Sequence, residues 1–216
     1  MKKIFIISIC LISAFLISGC GKKNEKNILK ELTKKIENTD GYHINGELEI
    51  INSEYVYDYD VDVAYKKGDY FRVSLKNKTN NHEQIILKNT DGVYVLTPSL
   101  NKSFKFQSDW PYNNSQSYLL QTLLKDIQND SEKQFESLND EFIYTTKVNY
   151  SNNKELIKQK IYINKNSEIT KVEVYNENDE VKMKMNFNNI DMDAKFDDDY
   201  FELNKNMTVA SVDEIK

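Results

Sequence analysis

The sequence predicts an α+β fold: a strongly curved, mostly antiparallel β-sheet, a half-barrel of about eleven strands, wrapped around helices. Three observations predict it. Period-two alternation recurs in short segments joined by turn signals, the pattern of a meander. Two segments switch to helical spacing, and one of them is too apolar to be an exposed helix. About eleven strands is also a number at which a twisted sheet has to curl or split.

The chain opens with Lys2 and Lys3, an apolar run from Ile4 to Ile17, and then Ser18, Gly19 and Cys20. This order of positive, apolar and small residues reads as a secretory signal. Ile17-Ser18-Gly19-Cys20 looks like the bacterial lipobox, in which cleavage falls between Gly19 and Cys20 and the Cys20 thiol carries acyl chains such as palmitate. A plain transmembrane helix fits less well, because the apolar run is short of the roughly 18–20 residues a span needs. The expected organisation is a signal peptide over 1–19, a lipidated cysteine and tether over 20–26, and one domain over 27–216. The acyl chains would hold the mature chain at a membrane face outside the cytoplasm.

Charge and composition exclude several classes of function. The sequence has 29 basic and 34 acidic side chains, net −5, and removing Lys2 and Lys3 with the signal lowers this to about −7. The basic residues, with Arg72 the one arginine, are interleaved with Asp and Glu, so no basic face exists for nucleic acid. Of the two cysteines, Cys10 leaves with the signal and Cys20 carries lipid, which leaves nothing for a disulfide, a thiolate nucleophile or a zinc cluster. His43 and His82 have no metal-binding motif around them, and no Gly-rich phosphate loop is present. No metal and no cofactor are expected.

Ile28, Leu32 and Ile36 put a helix over Asn27 to Asn38, stopped at Gly41. Six strands follow: His43–Ile51, Tyr55–Lys66, Tyr70–Leu75, Glu83–Leu87, Val93–Thr97 and Ser103–Gln107. Their turns fall at Lys67-Gly68-Asp69, Thr79-Asn80-Asn81, Asp91-Gly92 and Asn101-Lys102. In the second strand the Tyr55–Tyr65 series takes one face, while Asp58, Asp60, Asp62 and Lys66 take the other. After Trp110-Pro111 a second helix, capped near Asn114 or Ser115, runs to about Asn129 and presses Leu120, Leu124 and Ile127 on the concave face. Five more strands are expected: Phe142–Tyr150, Leu156–Ile163, Ile169–Tyr175, Val181–Phe187 and Ile190–Phe196. The last two are separated by a parity shift at Asn188-Asn189 that marks a turn or bulge.

Asp58-Tyr-Asp60-Val-Asp62 begins like a calcium loop, but Val63 stands where the loop needs Gly, and the period is that of a solvated strand face. Asp197, Asp198 and Asp199 read as a polar turn. No motif supports an enzyme. The segment that stands out holds Phe104, Phe106, Trp110 and Tyr112. These rings either close one end of the half-barrel under the second helix or form a hydrophobic contact surface for a partner protein or acyl ligand.

Asp91–Pro98, Asn101–Ser108 and Trp110-Pro111-Tyr112-Asn113 resemble the germination lipoproteins (GerS) of spore-forming clostridia and related sporulation lipoproteins, part of the wider set with the fold of the outer-membrane lipoprotein carrier LolA. Ile190-Asp191, Phe196 and Asp199–Leu203 fit the same pattern. The resemblance implies a noncatalytic role in making a germination-competent spore cortex, beside an N-acetylmuramoyl-L-alanine amidase of the cell wall, at a membrane around the forespore. The fold name implies an alternative, a carrier that holds an acyl chain or lipoprotein in the concave face. A filled concavity would argue against that carrier, and an apolar pocket of a few hundred Å³ for it. Exposed edge strands also leave room for a homodimer by strand exchange.

Overall fold

The computed structural model describes residues 24–106, 115–139, 141–150 and 153–207. Helix α1 (Glu25–Asn38) starts where the Asn24 side chain accepts the Asn27 N–H at 3.0 Å, and buries Ile28, Leu32 and Ile36 at one helical face. Six strands follow as a meander: β1 (Gly41–Ile51), β2 (Val56–Lys66), β3 (Tyr70–Asn77), β4 (Glu83–Asn89), β5 (Gly92–Thr97) and β6 (Lys102–Lys105). Helix α2 (Leu120–Asn129) crosses to a second meander. This is built from β7 (Gln134–Leu138), β8 (Glu141–Lys147), β9 (Leu156–Asn164), β10 (Ile169–Asn176) and β11 (Val181–Asp191). A 3-10 turn (Asp198–Phe201) and a short helix α3 (Leu203–Met207) complete the described chain.

All pairings are antiparallel, and the strands form a single curved open sheet in the order β6-β5-β4-β3-β2-β1-β11-β10-β9-β8-β7. Strands β1 and β11 join the two meanders at its centre. The turns expected from the sequence are sites of left-handed backbone. Gly68 and Asp69 (φ 97° and 68°), Asn81 (59°), Gly92 (142°) and Asn101 (49°) reverse the chain at the predicted places.

Three expectations need correction. The predicted strand over Ile190–Phe196 is not separate. β11 continues to Asp191 through a bulge, since Asn45 pairs with Asn189 and Gly46 with Phe187, which leaves Asn188 unopposed. Gly46 sits at this step because a Cβ there would meet Asn186 O at 2.3 Å. The strand that replaces it in the count is β7, whose residues are mostly exposed and so lack an alternating apolar face. Helix α2 starts at Leu120, later than the expected cap near Asn114 or Ser115; Asn114 itself lies outside the described residues. Its first turn is instead received by the core, where the fully buried Tyr42 hydroxyl accepts the Leu120 N–H at 3.3 Å and donates to Gln121 Oε1 at 2.7 Å.

Two apolar layers flank the sheet. The inner one joins α1 and α2 to the concave face through Tyr42, Ile44, Leu48, Val61, Val63, Phe71, Val73, Ile161, Val172 and Met185. The outer one was not anticipated. Ala64, Ile85, Leu87 and Leu96 on the convex face of β2–β5 are covered by Phe196, Tyr200, Phe201, Leu203 and Met207 of the C-terminal segment. The run Ile85-Ile86-Leu87 carried the signal, because consecutive apolar residues in a strand imply burial on both faces.

Candidate interaction surface

The concave face is filled. Leu120, Leu123, Leu124 and Ile127 of α2 and Ile28, Leu32 and Ile36 of α1 lie on it with almost no exposure. Between the start of α2 and β2–β3 a cavity of about 80 Å³ remains, lined by Tyr65, Phe71, Leu119 and Thr122 among others. A second gap of about 30 Å³ lies beside Leu32, Ile36, Leu120 and Ile169. Both fall well below the roughly 300 Å³ at which ligand pockets begin. A larger space, about 770 Å³, is a surface groove along α1 with the charged rim Glu31, Lys34, Lys35, Glu168, Asp191 and Asp193.

One edge of the sheet behaves differently. All four residues of β6 are exposed, and it ends the sheet order. Phe104 pairs in register with Val95, so it continues the inner face outward beyond the helices, where 63% of its surface is exposed. Phe106 is 38% exposed, and its N–H donates to Val93 O at 2.8 Å, extending the pairing past β6. Among the described residues Phe104 is not packed into either apolar layer, so its exposure fits the contact-surface reading of these rings better than closure of the barrel end. Trp110 and Tyr112 lie outside the described residues, as do Gly19 and Cys20.

The acidic strand face has structural work. Asp62 Oδ2 lies 2.7 Å from His43 Nε2 and accepts Asn45 Nδ2 at 3.0 Å, while Arg72 reaches Asp62 Oδ1 at 3.3 Å. Lys78 Nζ stands 3.5 Å from Asp60. Arg72, missed from sequence as anything but a lone arginine, also donates to Asn206 Oδ1 at 2.7 Å and stands 3.5 Å from Glu83, so it fastens α3 to β3. Among the described residues no three His, Cys, Asp or Glu side chains gather as a metal site, and no helix is long and apolar enough to cross a membrane.

A family model described as sporulation protein YdcC-like matches residues 1–201. The chain belongs to the YdcC-like sporulation protein family. The sporulation protein YdcC of Bacillus subtilis (strain 168) is 37% identical over 215 residues, which is 99% of this chain and 64% of that protein. This chain thus spans less than two thirds of that relative's length. Among solved structures, an uncharacterised conserved protein from Thermus thermophilus superposes with a TM-score of 0.54 at 9% identity, covering 83% of this chain and 93% of that one. Two others have TM-scores of 0.45. One is a chain of the CwlD amidase from Clostridioides difficile in complex with the GerS lipoprotein, at 16% identity over 82% of this chain and 98% of that one. The other is the LolA superfamily protein NE2245 from Nitrosomonas europaea, at 12% identity over 85% of this chain and 100% of that one. The family is thus one described as sporulation protein YdcC-like, and the likeness to solved structures bears on the fold alone.

Proposed function

We propose that this family member is a noncatalytic accessory protein of spore formation, tethered by acylated Cys20 to a membrane outside the cytoplasm. There it assists a cell-wall N-acetylmuramoyl-L-alanine amidase in the cortex modification that germination requires. The observation that carries the reading is the exposed β6 edge. The stretch whose sequence resembles the germination lipoproteins runs through β5 and β6, the strand left unpaired on its outer side by any described residue, with Phe104 uncovered beside it. An open edge with an exposed ring suits a partner that adds a strand and seats a side chain. The carrier alternative is disfavoured by the filled concavity.

The test uses the full chain in detergent with the sporulation amidase of the same genome, measuring complex formation and amide cleavage on peptidoglycan. A stable complex with altered cleavage, weakened by Phe104→Ser without loss of melting temperature, is the expected result. No complex, with acyl chains found on the purified protein beyond those on Cys20, would overturn it in favour of the carrier. Cys20→Ala should abolish acyl labelling and membrane partition while leaving the domain's melting temperature unchanged.

A further inference from the structure

Beneath α2 lies a buried polar cluster that neither the sheet nor the partner surface needs. The segment leading into the helix, Ser115, Gln116, Ser117 and Tyr118, is almost wholly buried although three of its four residues are polar. Asp126, partly buried on the following helix, accepts Gln159 Nε2 of β9 at 2.8 Å and interacts with the Ser115 side chain. Gln159 has no exposure, and its Nε2 also reaches Thr146 Oγ1 of β8 at 3.2 Å. The Ser115 hydroxyl in turn accepts the Asn149 N–H at 3.1 Å, tying the lead-in to the β8–β9 connection. Ser117 Oγ, Tyr150 OH and Gln159 Oε1 are buried without a well-formed partner.

The hydrogen bonding at this carboxyl comes from uncharged groups, and the two charges that act on it, Lys125 and Asp130, have opposite signs. The charged and titratable groups that face it are Lys125 and Asp130 at its own end of α2, and Tyr150 from the β8–β9 connection; β9, β8 and the lead-in supply Gln159, Thr146 and Ser115. A neutral carboxyl suits such a site better than an ionised one, because the cost of burying charge exceeds what two neutral hydrogen bonds return.

We propose that the Asp126 cluster is a proton-operated latch: with the carboxyl neutral, the 115–119 lead-in and α2 are held on the sheet, and with it ionised they open more readily. The direction follows from the environment. Burial, opposed by the Ser115 and Gln159 hydrogen bonds and by Lys125 and reinforced by Asp130, leaves the Asp126 carboxyl pushed up to about 6. A group raised in the folded state lends stability that is complete below about pH 4 and is lost as pH rises through about 6. The latch thus tightens on mild acidification, whatever partner the protein has.

Hydrogen exchange on the full chain, corrected for intrinsic rates, tests this directly. Protection of the 115–119 and α2 amides should fall about tenfold between about pH 5 and pH 8 in the wild type. In Asp126→Asn, which mimics the neutral form, it should stay level at the wild type's acid value. The Asp126 carboxyl carbon, followed by NMR in the wild-type chain, should titrate near pH 6, a measurement that stands even if the variant fails to fold. Protection independent of pH, or a midpoint below about 4.5, would overturn the proposal.

Discussion

The two halves of the convex face solve the same problem in opposite ways. Outward positions on β3–β5 include Ile85, Leu87 and Leu96, and the chain returns to cover them with Phe196, Tyr200, Phe201, Leu203 and Met207. Outward positions on β9–β11 include Lys158, Lys160, Tyr162, Lys171, Glu173, Tyr175 and Lys184, and no described segment lies over them. There the side chains satisfy one another. Tyr162 and Tyr175 hydroxyls both donate to Glu173 Oε2 at 2.7 Å, and Lys171 bonds Glu173 at 2.9 Å while its ammonium sits 3.8 Å from the Tyr162 ring centroid. The difference teaches that the identity of outward residues, on strands of the same architecture, decides whether the sheet acquires a third layer or ends in a solvated network.

The comparison can be broken most severely at Phe201, which is 1% exposed against Ala64, Leu87 and Leu96. Phe201→Ala should cost about 3–5 kcal/mol, read from urea unfolding, because the remaining rings cannot collapse into the space. A loss below about 1 kcal/mol would mean that the outer layer is dispensable. Arg72 comes next, at 17% side-chain exposure with three polar partners. Arg72→Met should cost about 2 kcal/mol and speed protease cleavage within 194–207, since Asp62 and Glu83 lose their counter-charge and Asn206 its donor. Cleavage unchanged from wild type would show that the aromatic contacts alone hold the segment.

How much of this was legible is answered by particular residues. Most strands of both meanders were readable because one face is buried, so alternation is enforced, the exposed β6 was placed by the turn at Asn101-Lys102, and the turns were readable because left-handed backbone selects Gly, Asn and Asp. β7 was not, because Gln134–Leu138 has little buried face to alternate. The outer layer had a signal in Ile85-Ile86-Leu87, but what covers that run comes from more than a hundred residues away, and such long-range pairing has no local pattern. At the candidate surface, Phe104 was singled out by residue type, while its exposure depended on β6 being an edge. Asp126 was illegible, since nothing local marks which of the 34 acidic side chains is drawn partly out of solvent against a polar cluster.

Glu173 sharpens the comparison on the open half, with a smaller expected effect. Burial alone would raise its carboxyl, but the Tyr162, Tyr175 and Lys171 hydrogen bonds outweigh this and hold it below the ordinary range. Its ionised form therefore stabilises the fold above the ordinary glutamate range, and that contribution is lost as pH falls through its lowered value. This is the opposite sense to Asp126. Glu173→Gln should cost about 1–2 kcal/mol at neutral pH and remove part of the acid-side loss of stability, leaving any change near pH 6 intact. An acid limb unaltered in the variant would remove Glu173 from this role.

The smallest effect is expected at Lys171, and it separates self-satisfaction of the open face from dependence on a cover. The Lys171 side chain is 29% exposed, and its ammonium lies over the Tyr162 ring and pairs with a Glu173 side chain that is 14% exposed. Lys171→Gln keeps a donor for Glu173 and most of the stem's packing but removes the charge, so the cost should be about 0.5–1 kcal/mol and should shrink in high salt. A cost several times larger would mean that the network is stiff and that losing one member releases the others, as in a buried layer. A cost near zero would leave the two tyrosine hydroxyls as the bonds that hold Glu173, and the lysines around them as solvated charge.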